Sequence, residues 1–416
     1  MTKFDRFFTP RTAQEREFLE YFDLMPARRI KTVLDKYKKP GPQGYGLPLI
    51  LSRILKVKEC ILSDRSLVQA LAKHRIYRVV CAIADHEIPA FNTYTTLRRR
   101  LGAQGFAQIH EVFVQFAEEY GLINPPIPGL PKNLKQGVIL VADSTFLLTS
   151  ASTHGEKLEG GEWLFSDPSA TFGRPHPHHK FPVGHKAHSL RTVSGIPLVS
   201  LVSSASDHDV DWIFPLLQAL ARRYGELTFA YIILDRGYDS EDIHRGVFEE
   251  FGIIPIIIRK KTAYPEGFTP DGVPLCPGGL PMRRRLTDLQ RKRTQWACQR
   301  QCIRQNQLRL FSCEHLESKS PYGYLSYTRF ADGYRKFGPA QPDTGIYQKL
   351  KPLRTGIERA FGIVKQNRYR MENTNTYRGI ENISIHVIEH DITLTLDIIY
   401  DYVKSGKLSP VLHIEY

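Results

Sequence analysis

The stretch "GVILVADSTFLLTS" (residues 137–150) is a β-branched, apolar run bounded by turn-forming residues, a pattern that predicts a buried strand. Four later runs are of the same kind, and helical patterns at 209–225 and 240–252 lie before and after the third of them. Those runs are "KFPVGHKAHSLRTV" (180–193), "IPLVSLVSSA" (196–205), "LTFAYIILD" (227–235) and "IIPIIIRK" (253–260). Three strands followed by alternating helices and strands predict an α/β fold with helices packed on the faces of a sheet.

The composition allows a sizeable folded core and favours an anionic partner. Of the 416 residues, 42% are hydrophobic, which is enough for more than one domain. Lys and Arg number 57 against 43 Asp and Glu, and the resulting net charge of +14 makes nucleic acid the first candidate partner. No run approaches the roughly 20 apolar residues that span a bilayer, so we expect a cytoplasmic protein with no membrane partner.

The amino-terminal part, residues 1–122, shows mostly helical periodicity and is predicted to be a helical DNA-binding domain. Within it, "PAFNTYTTLRRRLG" places a polar turn before a helix that carries Arg98, Arg99 and Arg100. This arrangement is compatible with a helix-turn-helix that contacts DNA, and equally with a solvated basic helix face. The stretch "INPPIPGLPKN" (123–133) is dense in Pro and Gly and is predicted to be a linker.

Regular periodicity fails in residues 261–344, a strongly basic stretch that is predicted to be an insertion. Its cysteines would give it a core by binding a structural Zn²⁺, or would remain free buried thiols. They are Cys276, Cys298, Cys302 and Cys313. Helical patterns resume at 345–400, and residues 401–416 form the carboxy-terminal tail.

Two apolar strand patterns each end in a carboxylate. Asp143 ends the run "VILVAD", and Asp235 ends the run "AYIILD". A carboxylate at the end of an apolar strand is costly to leave unpaired, so it needs a metal ion, a cluster of donors or solvent at the sheet edge. These two aspartates are therefore the first candidates for chemistry.

A third carboxylate lies on the predicted helix "PLRTGIERAFGIVKQ" (352–366). At roughly 100° per residue, Arg354, Glu358 and Lys365 border the apolar stripe that would pack on the sheet. Glu358 would then reach the two aspartates and complete an oxygen-rich site suited to Mg²⁺. The positive charges of Arg354 and Lys365 would keep Glu358 ionised and contact phosphate. The alternative is an ordinary ion pair between Arg354 and Glu358, one helical turn apart.

Together these residues resemble the DDE transposases of bacterial insertion sequences, in the branch with a Y-x2-R-x3-E-x6-K signature. Arg354, Glu358 and Lys365 match its spacing, whereas Lys351 occupies the tyrosine position and Tyr347 lies one turn earlier. The contexts "VADST" and "LDRGYDSEDIH" of the two aspartates are also similar to the family, as are "SDPSATFG" and "GHKAH".

The resemblance implies a ribonuclease-H-like catalytic domain with a mixed sheet, formed by residues 134–260 and 345–400. It implies two Mg²⁺ ions, replaceable by Mn²⁺, held by Asp143, Asp235 and Glu358. The enzyme would cleave a phosphodiester bond at terminal inverted repeats and join the freed 3′ hydroxyl to target DNA. Its partners would be double-stranded DNA and, in the DNA complex, a second copy of the chain.

Four further residues are candidates for DNA contact. Arg236 and Tyr238 follow the second aspartate, and Lys186 and His188 alternate on one face of a predicted strand. The alternative for the lysine and histidine is a solvated sheet surface.

Two other functions remain open at this point. A transposase-derived DNA-binding protein without catalysis would be signalled by loss of a carboxylate, and all three are present. A stand-alone metal-dependent nuclease would need no additional helical domain, which the amino-terminal hundred residues argue against.

Overall fold

The computed structural model describes residues 9–38, 46–127, 135–161, 163–173, 182–299, 323–354, 368–371 and 374–407. The chain divides into two compact units. The first comprises residues 1–126, 141–226 and 355–416, and the second comprises residues 127–140 and 227–354. The boundaries of the predicted helical domain, linker and catalytic domain stay predictions.

The described residues form helices between residues 13 and 405 and strands between residues 138 and 329. The helices are α1 (Ala13–Asp23), α2 (Ala27–Lys36), α3 (Leu47–Lys58), α4 (Asp64–Lys73), α5 (Arg75–Val80), α6 (Phe91–Glu119), α7 (Ile213–Arg223), α8 (Glu241–Phe251), α9 (Tyr334–Phe337), α10 (Gly345–Leu350) and α11 (Ile380–Ser405). The strands are β1 (Val138–Leu148), β2 (Glu156–Lys157), β3 (Trp163–Leu164), β4 (Thr171–Phe172), β5 (Val183–Thr192), β6 (Pro197–Ser204), β7 (Phe229–Leu234), β8 (Ile254–Ile257), β9 (Arg283–Asp288), β10 (Arg293–Ala297) and β11 (Leu325–Arg329).

The main core of the first unit joins the amino-terminal helices to α11. Apolar side chains of α1 to α6 pack in one cluster with residues of α11 such as Ile388 and Leu396. The long helix α6 is interrupted at Gly102, whose φ of +59° favours glycine. At this break the Ala103 N–H donates to the Glu381 carboxylate at 2.6 Å, so the interruption ties α6 to the first turn of α11.

The strands of the first unit form an antiparallel group around β5. The first two residues of β5 pair with β4, and the rest of the strand pairs with β6. The Thr149 N–H, just past β1, donates to the Val183 carbonyl at 3.0 Å. Helix α7 packs on β6, and α11 packs on β6 as well as on α3 and α6. The carboxy-terminal helix therefore covers strands of this unit.

In the second unit, β7 and β8 are parallel neighbours connected by α8. The register pairs Tyr231 with Ile254 and Leu234 with Ile257. The Val138 N–H at the start of β1 donates to the Thr228 carbonyl at 2.8 Å. Both strands are buried almost throughout, as expected for parallel strands with apolar sequences.

The insertion is more regular than its sequence indicated. Strands β9, β10 and β11 form a three-stranded antiparallel sheet with β10 in the centre. Thr294 and Trp296 of β10 are buried, and a bulge interrupts the β9–β10 register between Gln295 and Trp296. The alternation was hidden because the exposed positions of these short strands carry arginines that resemble a solvated charge run.

The chain is a mixed α/β protein, as predicted. The five strand patterns of the sequence correspond to β1, β5, β6, β7 and β8, and the two helical patterns between them correspond to α7 and α8. Among the described helices, none is long and apolar enough to cross a membrane.

Candidate active site

Asp143 lies within β1, at the point where the strand changes from fully buried to partly exposed. Residues 138–142 are buried, whereas Asp143 and Ser144 are not. Asp143 therefore ends the buried run, as predicted, while the strand itself continues to Leu148. The apolar run stops at the aspartate, but β pairing continues because Thr145 and Leu147 still alternate inward. One Asp143 carboxylate oxygen accepts a hydrogen bond from the Ser144 N–H at 2.8 Å.

Asp235 directly follows β7 and caps a 3-10 turn formed by Arg236–Tyr238. One of its oxygens accepts from the Arg236 N–H at 2.6 Å. The other lies 3.8 Å from the guanidinium of Arg354. The Asp235 side chain is 52% exposed and that of Arg354 only 9%. A nearly buried arginine therefore presents its charge to a carboxylate that solvent and ligands can reach.

The predicted third carboxylate, Glu358, and the predicted cation Lys365 lie outside the described residues. Their convergence with the aspartates stays a prediction. Tyr347, which lies one turn before the tyrosine position of the signature, is buried on α10. Its hydroxyl donates to the Ile257 carbonyl at the end of β8 at 3.0 Å. Tyr347 thus fastens the segment that leads to Arg354 onto the parallel strands of the second unit.

Asp239 holds the turn after Asp235 in place and, although it lies just before α8, is not the cap of that helix. Ser240 is the cap, and its hydroxyl accepts from the Ile243 N–H. The Asp239 side chain is fully buried and accepts from the Lys260 N–H at 2.8 Å. It also binds three cationic or polar partners: His244 at 3.0 Å, Arg335 at 2.9 Å and Arg259 at 3.4 Å.

The charge state of this cluster follows from its contacts. Burial alone would raise the pKa of Asp239, but the hydrogen bonds from His244 and Arg335 outweigh it and hold the pKa well below its usual range. Burial lowers the pKa of His244 to about 4. A single ionised carboxylate therefore faces the two arginines and a neutral imidazole at pH 7.

Lys186 and His188 share one face of β5, as predicted, but that face is covered. The Lys186 ammonium donates to the Asp207 carbonyl at 2.7 Å and lies 3.2 Å from the Asp209 carboxylate. His188 is 1% exposed and its ring stacks on Trp212 with centroids 5.1 Å apart. Burial lowers the pKa of His188 to about 4, so the ring is neutral at pH 7. The expected phosphate contact by His188 is wrong, because the 3-10 turn at Asp209–Trp212 covers it.

Residues 134–390, more than half of the chain, match the family described as "Transposase DDE domain". The matched range includes Asp143, Asp235 and Glu358. The chain belongs to this transposase family.

Two known proteins illustrate how the transposase chain compares. Over 98 residues it is 31% identical to "Putative transposase for insertion sequence element IS402" of Burkholderia cepacia, an alignment that covers 22% of this chain. The alignment spans 46% of that relative's length. The structure of a piggyBac transposase synaptic complex with hairpin DNA is similar at 12% identity and a TM-score of 0.34, over 94% of this chain and 77% of that chain. This likeness is too slight to establish a shared fold.

The two described carboxylates of the transposase domain fit the chemistry of a hard divalent cation. Asp143 and Asp235 both offer carboxylate oxygens at partly exposed positions, and Mg²⁺ and Mn²⁺ prefer such ligands. Groups of three or more His, Cys, Asp or Glu that could hold a metal are absent from the described part of the chain. Since Glu358 lies outside that part, the described aspartates alone would not make such a group.

Arg191 is a residue near the site that sequence reasoning missed. It lies on β5, is 2% exposed, and has its guanidinium 3.6 Å from the Asp391 carboxylate of α11. Burial lowers the pKa of Arg191, and the carboxylates of Asp391 and Asp143 oppose that effect. The β5–β6 register shifts between Leu190 and Arg191. Simple alternation from Lys186 therefore could not have predicted which way Arg191 points.

The three predicted DNA-contacting arginines of α6 occupy different environments. Arg98 is 8% exposed and pairs with Asp64 at 2.5 Å, so the prediction that it contacts DNA is corrected: it holds the helical core. Arg100 is half-buried and donates to the Tyr37 carbonyl. Arg99 is exposed, in keeping with a solvated position on the helix.

Two of the four candidate zinc ligands can be placed. Cys276 is buried, and Cys298 packs against the small apolar cluster that contains Cys276, Met282 and Trp296. Cys302 and Cys313 lie outside the described residues, so the zinc site stays a prediction. Trp296 donates its indole N–H to Thr328 at 3.0 Å and acts as the centre of this small core.

Proposed function

We propose that this transposase-family chain is the DNA transposase of an insertion sequence. It would cleave phosphodiester bonds at the terminal inverted repeats and join the freed 3′ hydroxyl to target DNA. The observation that carries the proposal is the setting of Asp235. This accessible carboxylate caps a turn directly after a buried strand, and a nearly buried arginine supports it from 3.8 Å.

The catalytic domain of the proposal is ribonuclease-H-like, with Asp143, Asp235 and Glu358 as ligands of two divalent cations. Such ions, when bound, would lower the pKa of the attacking hydroxyl and stabilise the leaving oxygen in phosphoryl transfer. Asp143 lies within β1 and Asp235 directly follows β7, which supports this assignment, since strands hold ligands more rigidly than loops do. Mg²⁺ is the ion we expect, with Mn²⁺ as a substitute.

The chain's own residues have distinct tasks in this proposal. Arg354 orients Asp235 from 3.8 Å, and its guanidinium matches the geometry of a phosphate oxygen pair. Arg236 is exposed beside the same carboxylate and would contact the DNA backbone. Tyr238 is buried in the same turn and would support the turn, whereas Lys365 would contact phosphate.

The partners follow from this chemistry. An excess of Lys and Arg that gives a net charge of +14 suits a chain that binds double-stranded DNA. Bringing together two ends of one element requires two active sites, so we expect a homodimer in the DNA complex. The helical part at 1–122 would contribute to DNA binding, with Arg99 as an exposed contact.

The test is an incubation of purified protein and Mg²⁺ with a plasmid that carries the gene's own flanking DNA. New 3′ hydroxyl ends are then mapped at nucleotide resolution. We expect cuts at inverted repeats, and we expect Asp143→Asn, Asp235→Asn and Glu358→Gln each to abolish them while DNA binding persists.

Asp242→Asn is the matched control, since Asp242 is an exposed carboxylate on α8 that pairs with nearby Arg245. It should cut like the unaltered protein. If the unaltered protein binds the ends but leaves them intact with both Mg²⁺ and Mn²⁺, the protein is a DNA-binding relative without catalysis. Cuts without any joining to target DNA would instead identify a nuclease.

A further inference from the structure

The sheet of β9, β10 and β11 has two faces of opposite character. Side chains alternate along a strand, so Thr294 and Trp296 of β10 point into the small apolar core. Arg293, Gln295 and Ala297 point the other way. We call these three side chains, together with those in register with them on the neighbouring strands, the outer face. The neighbouring side chains are Arg283, Leu286 and Asp288 of β9 and Leu325, Tyr327 and Arg329 of β11.

The arginines of the outer face differ from two neighbouring cations, which are neutralised. Arg284 pairs with Asp343 at 2.8 Å, and Lys292 pairs with Glu249. Among the ion pairs of the described residues, none joins Arg283, Arg293 or Arg329 to a carboxylate, and Asp288 of the outer face pairs with Arg291 at 3.8 Å. With three arginines against Asp288, the outer face keeps a net positive charge.

Exposed apolar groups lie between these charges. Leu286 is 56% exposed and Tyr327 is 44% exposed, and both lie opposite Gln295 on neighbouring strands. The Arg293 guanidinium stacks on the Tyr327 ring at 4.4 Å, and the Gln295 amide donates to the Tyr327 hydroxyl at 2.7 Å. Stacking fixes the plane of the guanidinium while leaving its N–H edge available to an anion.

The arginines of the outer face lie at opposite corners of the sheet. Arg283 lies opposite Ala297 at one end of β10, whereas Arg329 lies opposite Arg293 at the other end. The two ends of β10 are roughly 13 Å apart at about 3.3 Å per residue, and β9 and β11 lie about 4.8 Å to either side, so the backbones of Arg283 and Arg329 are roughly 16 Å apart. A duplex that lies on this face would meet arginines on two sides, with its phosphates facing the arginines and the apolar centre between them.

We propose that the outer face is a docking surface for the backbone of duplex DNA, with Arg283 on one strand's phosphates and Arg293 and Arg329 on the other's. The inference rests on the proposed function in taking DNA as the partner, and it adds a contact surface in the insertion that is separate from the carboxylates. Because the contacts are to phosphate, binding here carries little sequence preference and depends strongly on salt.

The test measures fluorescence anisotropy of a labelled duplex of mixed sequence, titrated with the full-length protein at several salt concentrations without divalent cations. Arg283→Gln, Arg293→Gln and Arg329→Gln are each expected to weaken binding. Each should also flatten the slope of log K against log salt by about one. The control is Arg245→Gln, which removes an arginine that is 57% exposed and pairs with Asp242 on α8.

The outcomes separate the two proposals. If the three variants melt like the unaltered protein but keep its affinity and salt slope, the outer-face inference is wrong, whether or not the protein cuts DNA. Weaker binding to single strands with unchanged binding to the duplex also contradicts it. If the unaltered protein binds duplex through these arginines but never cuts it, the proposed function fails while the docking surface stands.

Discussion

At the scale of single residues, the buried carboxylate Asp239 is the clearest case of a group whose loss leaves charges without a partner. Its side chain is fully buried against Arg259, Arg335 and His244. Removing one member of a buried ion pair costs roughly 3–5 kcal/mol, because the remaining charge stays desolvated.

We therefore predict that Asp239→Ala lowers the free energy of unfolding by about that amount, measured by urea denaturation. Asp242→Ala, three positions further on and 82% exposed, should change it by less than about 0.5 kcal/mol. Equal effects of the two substitutions would show that the Asp239 cluster does not hold the turn.

The three aspartates Asp143, Asp235 and Asp239 show what a sequence can and cannot predict. The runs "VILVAD" and "AYIILD" made Asp143 and Asp235 conspicuous, because a carboxylate at the end of an apolar run is unusual. Among the partners of Asp239, Arg259 and Lys260 lie just past β8, 20 and 21 positions along the chain, and Arg335 lies on α9, 96 positions along. No local sequence pattern reports contacts at these separations, so the role of Asp239 could not be predicted.

At the scale of elements, a buried charge network joins α3, α4 and α6 to α11. The Arg53 guanidinium donates to both Glu389 oxygens at 2.6 Å and to the Tyr377 hydroxyl at 2.7 Å. It also pairs with Asp64, which in turn pairs with Arg98. Because Arg53 is 1% exposed and Glu389 is 2% exposed, this contact specifies how α11 packs on α3.

We predict that Arg53→Met alone lowers the free energy of unfolding by roughly 3–5 kcal/mol, since it leaves Glu389 buried without its cation. The double substitution Arg53→Met with Glu389→Met should recover much of the loss, because apolar side chains of similar volume can replace a buried pair. A double variant as unstable as the sum of the two single variants would contradict the view that the two charges depend on each other.

The elements themselves were mostly predictable, and the exceptions share a cause. Strands β1, β5, β6, β7 and β8 were expected because they are apolar and bounded by turn residues. Strands β9 to β11 were not, since the alternation of buried Thr294 and Trp296 is masked by arginines at the exposed positions. Hydrophobic periodicity detects buried positions, and a small sheet with one charged face has few of them.

At the scale of the whole molecule, several buried histidines make stability depend on pH. Burial lowers the pKa of His110 and His390 to about 3 and that of His188 and His244 to about 4, from an ordinary value of 6.5. As the pH falls, a histidine whose pKa is lower in the folded state is protonated in the unfolded chain before it is protonated in the folded protein. Its stabilising contribution is therefore complete above about pH 6.5 and is lost as the pH falls toward the folded value.

We predict that the free energy of unfolding drops steeply between pH 7 and pH 5, with about 2 kcal/mol of the drop from His110 alone at pH 5. His110→Leu should make the pH profile shallower by that amount, whatever its effect at pH 7. His86→Leu, at a position that is 84% exposed, should leave the slope unchanged. The measurement is the free energy of unfolding from denaturant titrations across this pH range. Identical slopes for both variants would refute the assignment of this pH dependence to His110.

The proposed function requires Asp143, Asp235 and Glu358 to converge on one divalent-cation site. The most direct measurement replaces Mg²⁺ with Fe²⁺, adds ascorbate and peroxide, and maps where hydroxyl radicals cut the polypeptide. We predict cuts close to all three positions, suppressed together by excess Mg²⁺ and by Asp235→Asn. Cuts near only one of the carboxylates, or cuts that persist in Asp235→Asn, would contradict it.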